Sequence, residues 1–300
     1  MTRVLVTGAS GFVGRPTVRA LAAAGFEVDA VARTVPSDAE AGVRWHEVDL
    51  LEPGAAAAVA RDVAASLLVG LAWSAEPGKF WTSPDNARWV GATLELLMAW
   101  RASGGRRAVL AGTCAEYAWT TPVLAEAGAL RPTTLYSAAK HATHTVAASL
   151  AAQDDWELAW ARLFFLYGEG DPGPRLIPSV AEALVRGVPA QTSSGEQRRD
   201  FLHVADAGAA LAALAAADGV TGPVNVGSGV APPVRDVAQR LADLAGRPEL
   251  LQLGARPGGD EPACVQADVT RLRDEVGFVP RVSVDDGLRA TLDWWRARVG

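Results

Sequence analysis

Short runs of apolar, β-branched residues alternate with longer stretches of helical periodicity through the first 167 residues. RVLVTG (3–8) is almost wholly apolar and ends in glycine, as a strand buried in a parallel sheet does. GRPTVRALAAAG (14–25) follows with helical spacing and a glycine stop. The same pattern predicts strands in FEVDAVAR, GVRWHEVDL, SLLVGLAW and RRAVLAGT, and one continuous sixth strand in WELAWARLFFLYG. Helices are expected from Pro53 to Ala65, over SPDNARWVGATLELLMAWRASGG and over TLYSAAKHATHTVAASLAAQ. Strands that alternate with helices give an α/β fold with a doubly wound parallel sheet. After Gly168 the texture changes: GEGDPGPR, GVAPP and GARPGGDEP are loop-rich, with shorter helices between them. The expected organisation is a doubly wound domain over 1–167 and, mainly over 168–300, a smaller substrate-binding lobe, with elements from about 200–230 returned to the main sheet.

Composition narrows the function classes. A hydrophobic fraction of 49% supplies a core, and a net charge of −6 argues against a nucleic-acid surface, which needs a basic patch. Cys114 and Cys264 lie too far apart in sequence to suggest a disulfide framework. His141 and His144 stand three apart on an expected helix, with no third ligand in the pattern, so no metal is expected. No long uncharged apolar run suggests a membrane helix, and MTRVLV enters a strand at once, so a cytoplasmic protein is expected.

Three motifs carry chemistry. TGASGFVG places Gly8, Gly11 and Gly14 between a strand and a helix, where backbone and helix N-terminus can receive a pyrophosphate. At the end of the second strand stands Arg33, which suits a ribose 2′-phosphate; Asp29 is the competing acid but lies mid-strand. The expected cofactor is therefore NADP(H) in preference to NAD(H). Asp49 and Leu50 end the third strand, where the adenine should stack. In YSAAK, Tyr136 and Lys140 share a helix face one turn apart, and Lys140 is one of two lysines in the chain. A nearby ammonium lowers a phenol's pKa, which makes Tyr136 a usable acid or base. Thr113, at the tip of the fifth strand, supplies a further hydroxyl.

Together these residues resemble the extended short-chain dehydrogenase/reductases of the NAD(P)-dependent epimerase/dehydratase type, over nearly the whole chain. The resemblance implies Thr113, Tyr136 and Lys140 as catalytic residues. It implies cofactor contacts at Gly8, Gly11, Phe12, Gly14, Asp49 and Leu50, and at Leu71, Ala72 and Trp73 after the fourth strand. GEQRRDFLHVADAGAAL and RPGGDEP resemble the segments that grip a nucleotide diphosphate, which points to Arg199 and Arg256. Tyr117 is expected to shape the sugar pocket. The family's asparagine after the sixth strand is replaced by Phe165, and Cys114 and Ala115 stand where dehydratases carry Asp-Glu, so 4,6-dehydration is not expected. Cys114 reads as buried filler rather than nucleophile; Glu116 either assists epimerisation or faces solvent. Trp81, Trp89 and Trp100 read as core or dimer surface. In texture the chain is most similar to 4-ketoreductases such as CDP-abequose synthase. The resemblance thus implies NADPH-dependent reduction of a nucleotide-linked 4-keto-6-deoxyhexose at C-4. The alternatives are a C-4 epimerase and, in a different class, a non-catalytic NADP sensor. It also implies a homodimer through a four-helix bundle.

Overall fold

The computed structural model describes residues 2–171, 173–259 and 262–299. In chain order the first half holds β1 (Arg3–Thr7), α1 (Gly14–Ala23), β2 (Glu27–Ala32), β3 (Arg44–Glu47), α2 (Ala55–Val63), β4 (Leu67–Gly70), α3 (Asp85–Ala102), β5 (Arg107–Thr113), β6 (Val123–Leu124) and α4 (Leu135–Asp154). The second half holds β7 (Glu157–Leu163), β8 (Phe165–Tyr167), α5 (Leu176–Arg186), β9 (Ala190–Gln191), β10 (Arg198–Arg199), β11 (Phe201–His203), α6 (Val204–Ala216), β12 (Gly222–Val226), α7 (Val234–Ala245), β13 (Leu251–Gln252), β14 (Cys264–Ala267), α8 (Thr270–Asp274) and α9 (Val284–Val299).

Seven parallel strands form the main sheet in the order β12-β7-β5-β4-β1-β2-β3. The order reverses between β1 and β4, so a crevice opens beyond the carboxyl ends of those two strands. One face of the sheet packs on α1 and α6, through Val18, Leu21, Leu211 and Leu214. The other packs on α2, α3 and α4, through Val59, Leu97, Trp100 and Ala147. From the segment expected to return, α6 lies against α1 and β12 adds the outermost strand beside β7. A separate core of Ile177, Leu184, Leu241 and Leu288 joins α5, α7 and α9.

The expected sixth strand is in fact two. β7 runs in the main sheet, and after Phe164 the chain turns so that β8 pairs with β11 in a two-stranded sheet. The hydrogen bonds change owner at that point: Phe164 N–H goes to Val226 and Phe165 N–H to Asp200. An unbroken apolar run cannot reveal this, because both sheets accept the same residues.

At the far side of the sheet, Asp29 is fully buried and ties three strands together. It accepts from Arg3 on β1 (2.7 Å) and from Arg44 on β3 (2.8 Å), and it pairs with His46 on β3 (2.8 Å). Burial alone would raise its pKa, but these partners outweigh burial and hold the carboxyl well below the usual range.

Candidate active site

The glycine loop is built by close packing. At Gly8, whose φ is +68°, a Cβ would meet Ala72 N at 2.7 Å; at Gly14 it would meet the Gly8 carbonyl oxygen at 2.0 Å. Gly11 is exposed and meets only the Gly8 oxygen, at 3.2 Å. Two glycines thus let strand, loop and helix close up, and the third leaves a bare backbone facing out. α1 starts with no side-chain cap; in its first turn Arg15 N–H is spent on Gly11 O and Pro16 has none, so Gly14 N–H is the one left to an anion. The residues fit a dinucleotide diphosphate. Leu71 and Ala72 follow β4 directly and hydrogen-bond Thr7. Arg33 is exposed just past β2, with no ion-pair partner among the described residues, whereas Asp29 is spent inside the sheet. Asp49 is half-buried and caps Leu51 N–H; Leu50 is buried in the core below.

Local capping sets the position of the tyrosine. Thr134 and Ser137 cap the start of α4 reciprocally, which puts Tyr136 in its first turn. The Tyr136 N–H has no carbonyl inside the helix and donates to Trp81 O at 3.2 Å. Phe80 and Trp81 meet the Tyr136 ring edge-on, with centroids at 4.8 and 5.8 Å. Buried Asn86 organises this loop, donating to Phe80 O and Ser83 O and accepting from the Trp73 indole at 2.8 Å. Trp81 and Trp89 therefore belong to the surroundings of the site, Trp89 stacked on Trp73, while Trp100 is core.

Thr113 ends β5, its side chain near the Tyr136 phenol. Burial is the largest influence on that phenol and raises its pKa; the Thr113 hydroxyl and Arg175 pull the other way. The lowering expected from Lys140 is absent. Lys140 is buried, donates to Ala111 O at 2.8 Å and lies 3.9 Å from the centre of the Trp73 ring. Burial pushes its pKa down to about 7, with the Glu116 charge opposing that. An ammonium so easily deprotonated is a weak source of positive charge for its neighbour.

Of three further expectations, two are corrected and the one for Cys114 holds. Tyr117 does not line an open pocket. It is 2% exposed; its hydroxyl donates to Asn225 at 2.6 Å and accepts from Arg162 at 3.0 Å. Glu116 neither faces solvent nor reaches the crevice, because it is fully buried beside Trp160 and Arg162. Cys114 is buried filler, its thiol pushed up to about 12 by burial and then by Asp200 and Glu116.

On the substrate side, Arg199 is buried on β10, donates to Arg198 O and Pro262 O, and sits over the Phe165 ring at 5.6 Å. Arg256 is exposed, its N–H on Thr192 O, beside a cleft walled by Ser193, Ser194, Glu196, Gln197, Gly258, Gly259 and Ala263. Asp260 and Glu261 of the RPGGDEP segment fall outside the described residues. One site residue escaped the sequence reading. Arg175 opens α5, is held by buried Asp171 at 2.7 Å and covers the Phe12 ring at 5.3 Å. Its signal, a lone arginine after a Gly/Pro-rich loop, is too common to single out.

Residues 4–227 match the NAD dependent epimerase/dehydratase family. The chain belongs to that family. The expectation of an NAD(P)-dependent enzyme of this type is met. The chain is 28% identical to GDP-6-deoxy-D-mannose reductase of Pseudomonas aeruginosa, with 99% of this chain and 98% of that one aligned. It is 31% identical to dTDP-6-deoxy-L-talose 4-dehydrogenase (NAD(P)(+)) of Kitasatospora kifunensis (99% and 95%) and 29% identical to UDP-glucose 4-epimerase of Streptomyces lividans (93% and 91%). Among solved structures it is similar to MoeE5 in complex with UDP-glucose and NAD, with a TM-score of 0.83, 29% identity and coverage of 99% and 100%. RMD from Pseudomonas aeruginosa complexed with NADPH gives a TM-score of 0.82 at 27% identity, with coverage of 99% and 100%. No helix among the described residues is long and apolar enough to cross a membrane.

Proposed function

We propose that this protein reduces the C-4 ketone of a nucleotide-linked 4-keto-6-deoxyhexose with NADPH. The observation that carries the reading is the nearness of the Thr113 and Tyr136 hydroxyls at the carboxyl edge of the sheet. A bound nicotinamide cofactor would supply the hydride to C-4. Thr113 holds the carbonyl oxygen, and Tyr136, kept protonated by burial, delivers a proton to it. Lys140 holds the nicotinamide ribose. Gly8, Gly11, Phe12 and Gly14 receive the diphosphate of the dinucleotide, and Arg33 its 2′-phosphate. Arg199 and Arg256 grip the diphosphate of the sugar nucleotide.

The reductase and 4-dehydrogenase relatives support C-4 redox chemistry, and exposed Arg33 supports the 2′-phosphate. A C-4 epimerase is the second reading. The UDP-glucose 4-epimerase relative and the NAD-bound neighbour favour it, and the same Thr113 and Tyr136 would serve it. A pure sensor has no use for Thr113, Tyr136 and Lys140 together. Incubation with NADPH and a panel of nucleotide-linked 4-keto-6-deoxyhexoses tests the reading: NADPH oxidation with a 4-hydroxy product supports it, and no oxidation with any member rejects it.

A further inference from the structure

We propose that Glu116 is a positioning residue of this site: its buried carboxylate, gripped by Trp160 and Arg162, locks the turn that carries Thr113 and sets a fixed negative charge behind the catalytic residues. This rests on the role given to Thr113 and Tyr136 above.

The carboxylate is 0% exposed and accepts from three N–H groups. Its Oε1 takes Thr113 N–H at 2.9 Å and Trp160 Nε1 at 3.0 Å; its Oε2 takes Trp160 Nε1 at 3.2 Å and Arg162 Nε at 3.3 Å. Two of these donors come from β7, so the turn after β5 is bolted to the neighbouring strand. The capping is reciprocal, because Thr113 Oγ1 accepts Ala115 N–H at 3.2 Å. A hydroxyl whose oxygen already accepts from behind is free to aim its proton forward, toward the phenol or a reacting oxygen. Gly112 makes the arrangement possible: a Cβ there would lie 2.2 Å from Trp160 Nε1 and 2.8 Å from Glu116 Oε1.

The groups around the carboxylate are consistent with a charge kept for the site. From β7 come Trp160 and Arg162, the latter 1% exposed and also donating to Tyr117 and to Glu126 O. From α4 come Tyr136, Lys140, His141 and His144; His144 stacks on Trp160 and is driven down to about 4 by burial, then by Arg162 and His141. From its own turn come Thr113 and Cys114. The ligand atoms of Glu116, His141 and His144 lie within 4.8 Å of one another, but the carboxylate is already spent on its three donors. After burial, the Glu116 charge is what holds up the pKa of Lys140.

The test joins a mutant cycle to a titration that needs no substrate. Glu116→Gln should lower kcat by ~10- to 10²-fold with the dinucleotide KM unchanged, the scale of a small misplacement of a reacting group. In a Thr113→Ala background the same change should cost almost nothing more. Trp160→Phe, which keeps the charge and removes one donor, should give a smaller loss with the same non-additivity, and it serves if Glu116→Gln does not fold. With two lysines in the chain, a ¹³Cε-lysine NMR titration resolves Lys140, with Lys79→Arg assigning the other signal. Glu116→Gln should move the Lys140 titration down. Losses that add to Thr113→Ala, an unchanged kcat, or an unmoved Lys140 titration would overturn the inference. If the wild type reduces no ketosugar, the functional reading falls, and the lysine titration still decides this one.

Discussion

On the proposed reading, Tyr136 is the residue on which the chemistry turns. Its ring is boxed by Phe80 and Trp81, its N–H is spent on Trp81 O and its hydroxyl faces Thr113. Tyr136→Phe keeps that box and removes only the proton. Turnover should fall ~10²- to 10⁴-fold with NADPH binding intact, as general acid catalysis predicts; steady-state kinetics beside a fluorescence binding titration measure both. Arg33 makes the other residue-scale claim. A charge-assisted phosphate contact is worth about 1.5–3 kcal/mol, so Arg33→Ala should cut the preference for NADPH over NADH by ~10- to 10²-fold. Equal Kd ratios in wild type and variant would make Arg33 a bystander. Thr113, Tyr136 and Lys140 were legible in the sequence because their spacing is local to one helix and one strand tip. Tyr117 and Glu116 were not. Tyr117 is sealed by Asn225, 108 residues away, and Glu116 by Trp160 and Arg162 on another strand. An arginine inside an apolar strand does demand a buried acceptor, and that demand was the one sign available.

At the scale of elements, alternating periodicity made the Rossmann half readable, since each strand buries both faces and each helix one. The break at Phe164 was not readable, because it depends on which partner strand arrives from residues 201 to 226. Asp29 shows how an element can be stabilised by a group that looks like a cofactor ligand. It links β1, β2 and β3, and its partners Arg3 and Arg44 are partly exposed. Asp29→Ala should cost ~2–3 kcal/mol, less than the ~3–5 of a wholly buried pair because solvent screens the arginines. The sign with pH follows from the depressed pKa. The contribution is fully present above the unfolded value near 4 and is lost as pH falls toward the folded one. Urea unfolding should therefore show the gap between wild type and variant narrowing below about pH 4; a gap constant from pH 7 to pH 3 would contradict the assignment.

For the whole molecule, α3 and α4 pack side by side and leave Met98 56% and Val146 42% exposed. We propose that this face pairs with a second copy in a four-helix bundle. Met98→Asp with Val146→Asp should convert a dimer into a monomer in size-exclusion chromatography with light scattering, and a monomeric wild type would refute the proposal. The central claim concerns the fate of the hydride. A reductase exchanges its oxidised cofactor for NADPH at every turnover, whereas an epimerase returns the hydride to the same sugar. The measurement is NADPH absorbance followed beside product analysis during turnover of a nucleotide-linked 4-keto-6-deoxyhexose. One NADPH consumed per ketosugar reduced is the predicted result; interconversion of two C-4 epimeric nucleotide sugars with no net oxidation of cofactor would contradict it.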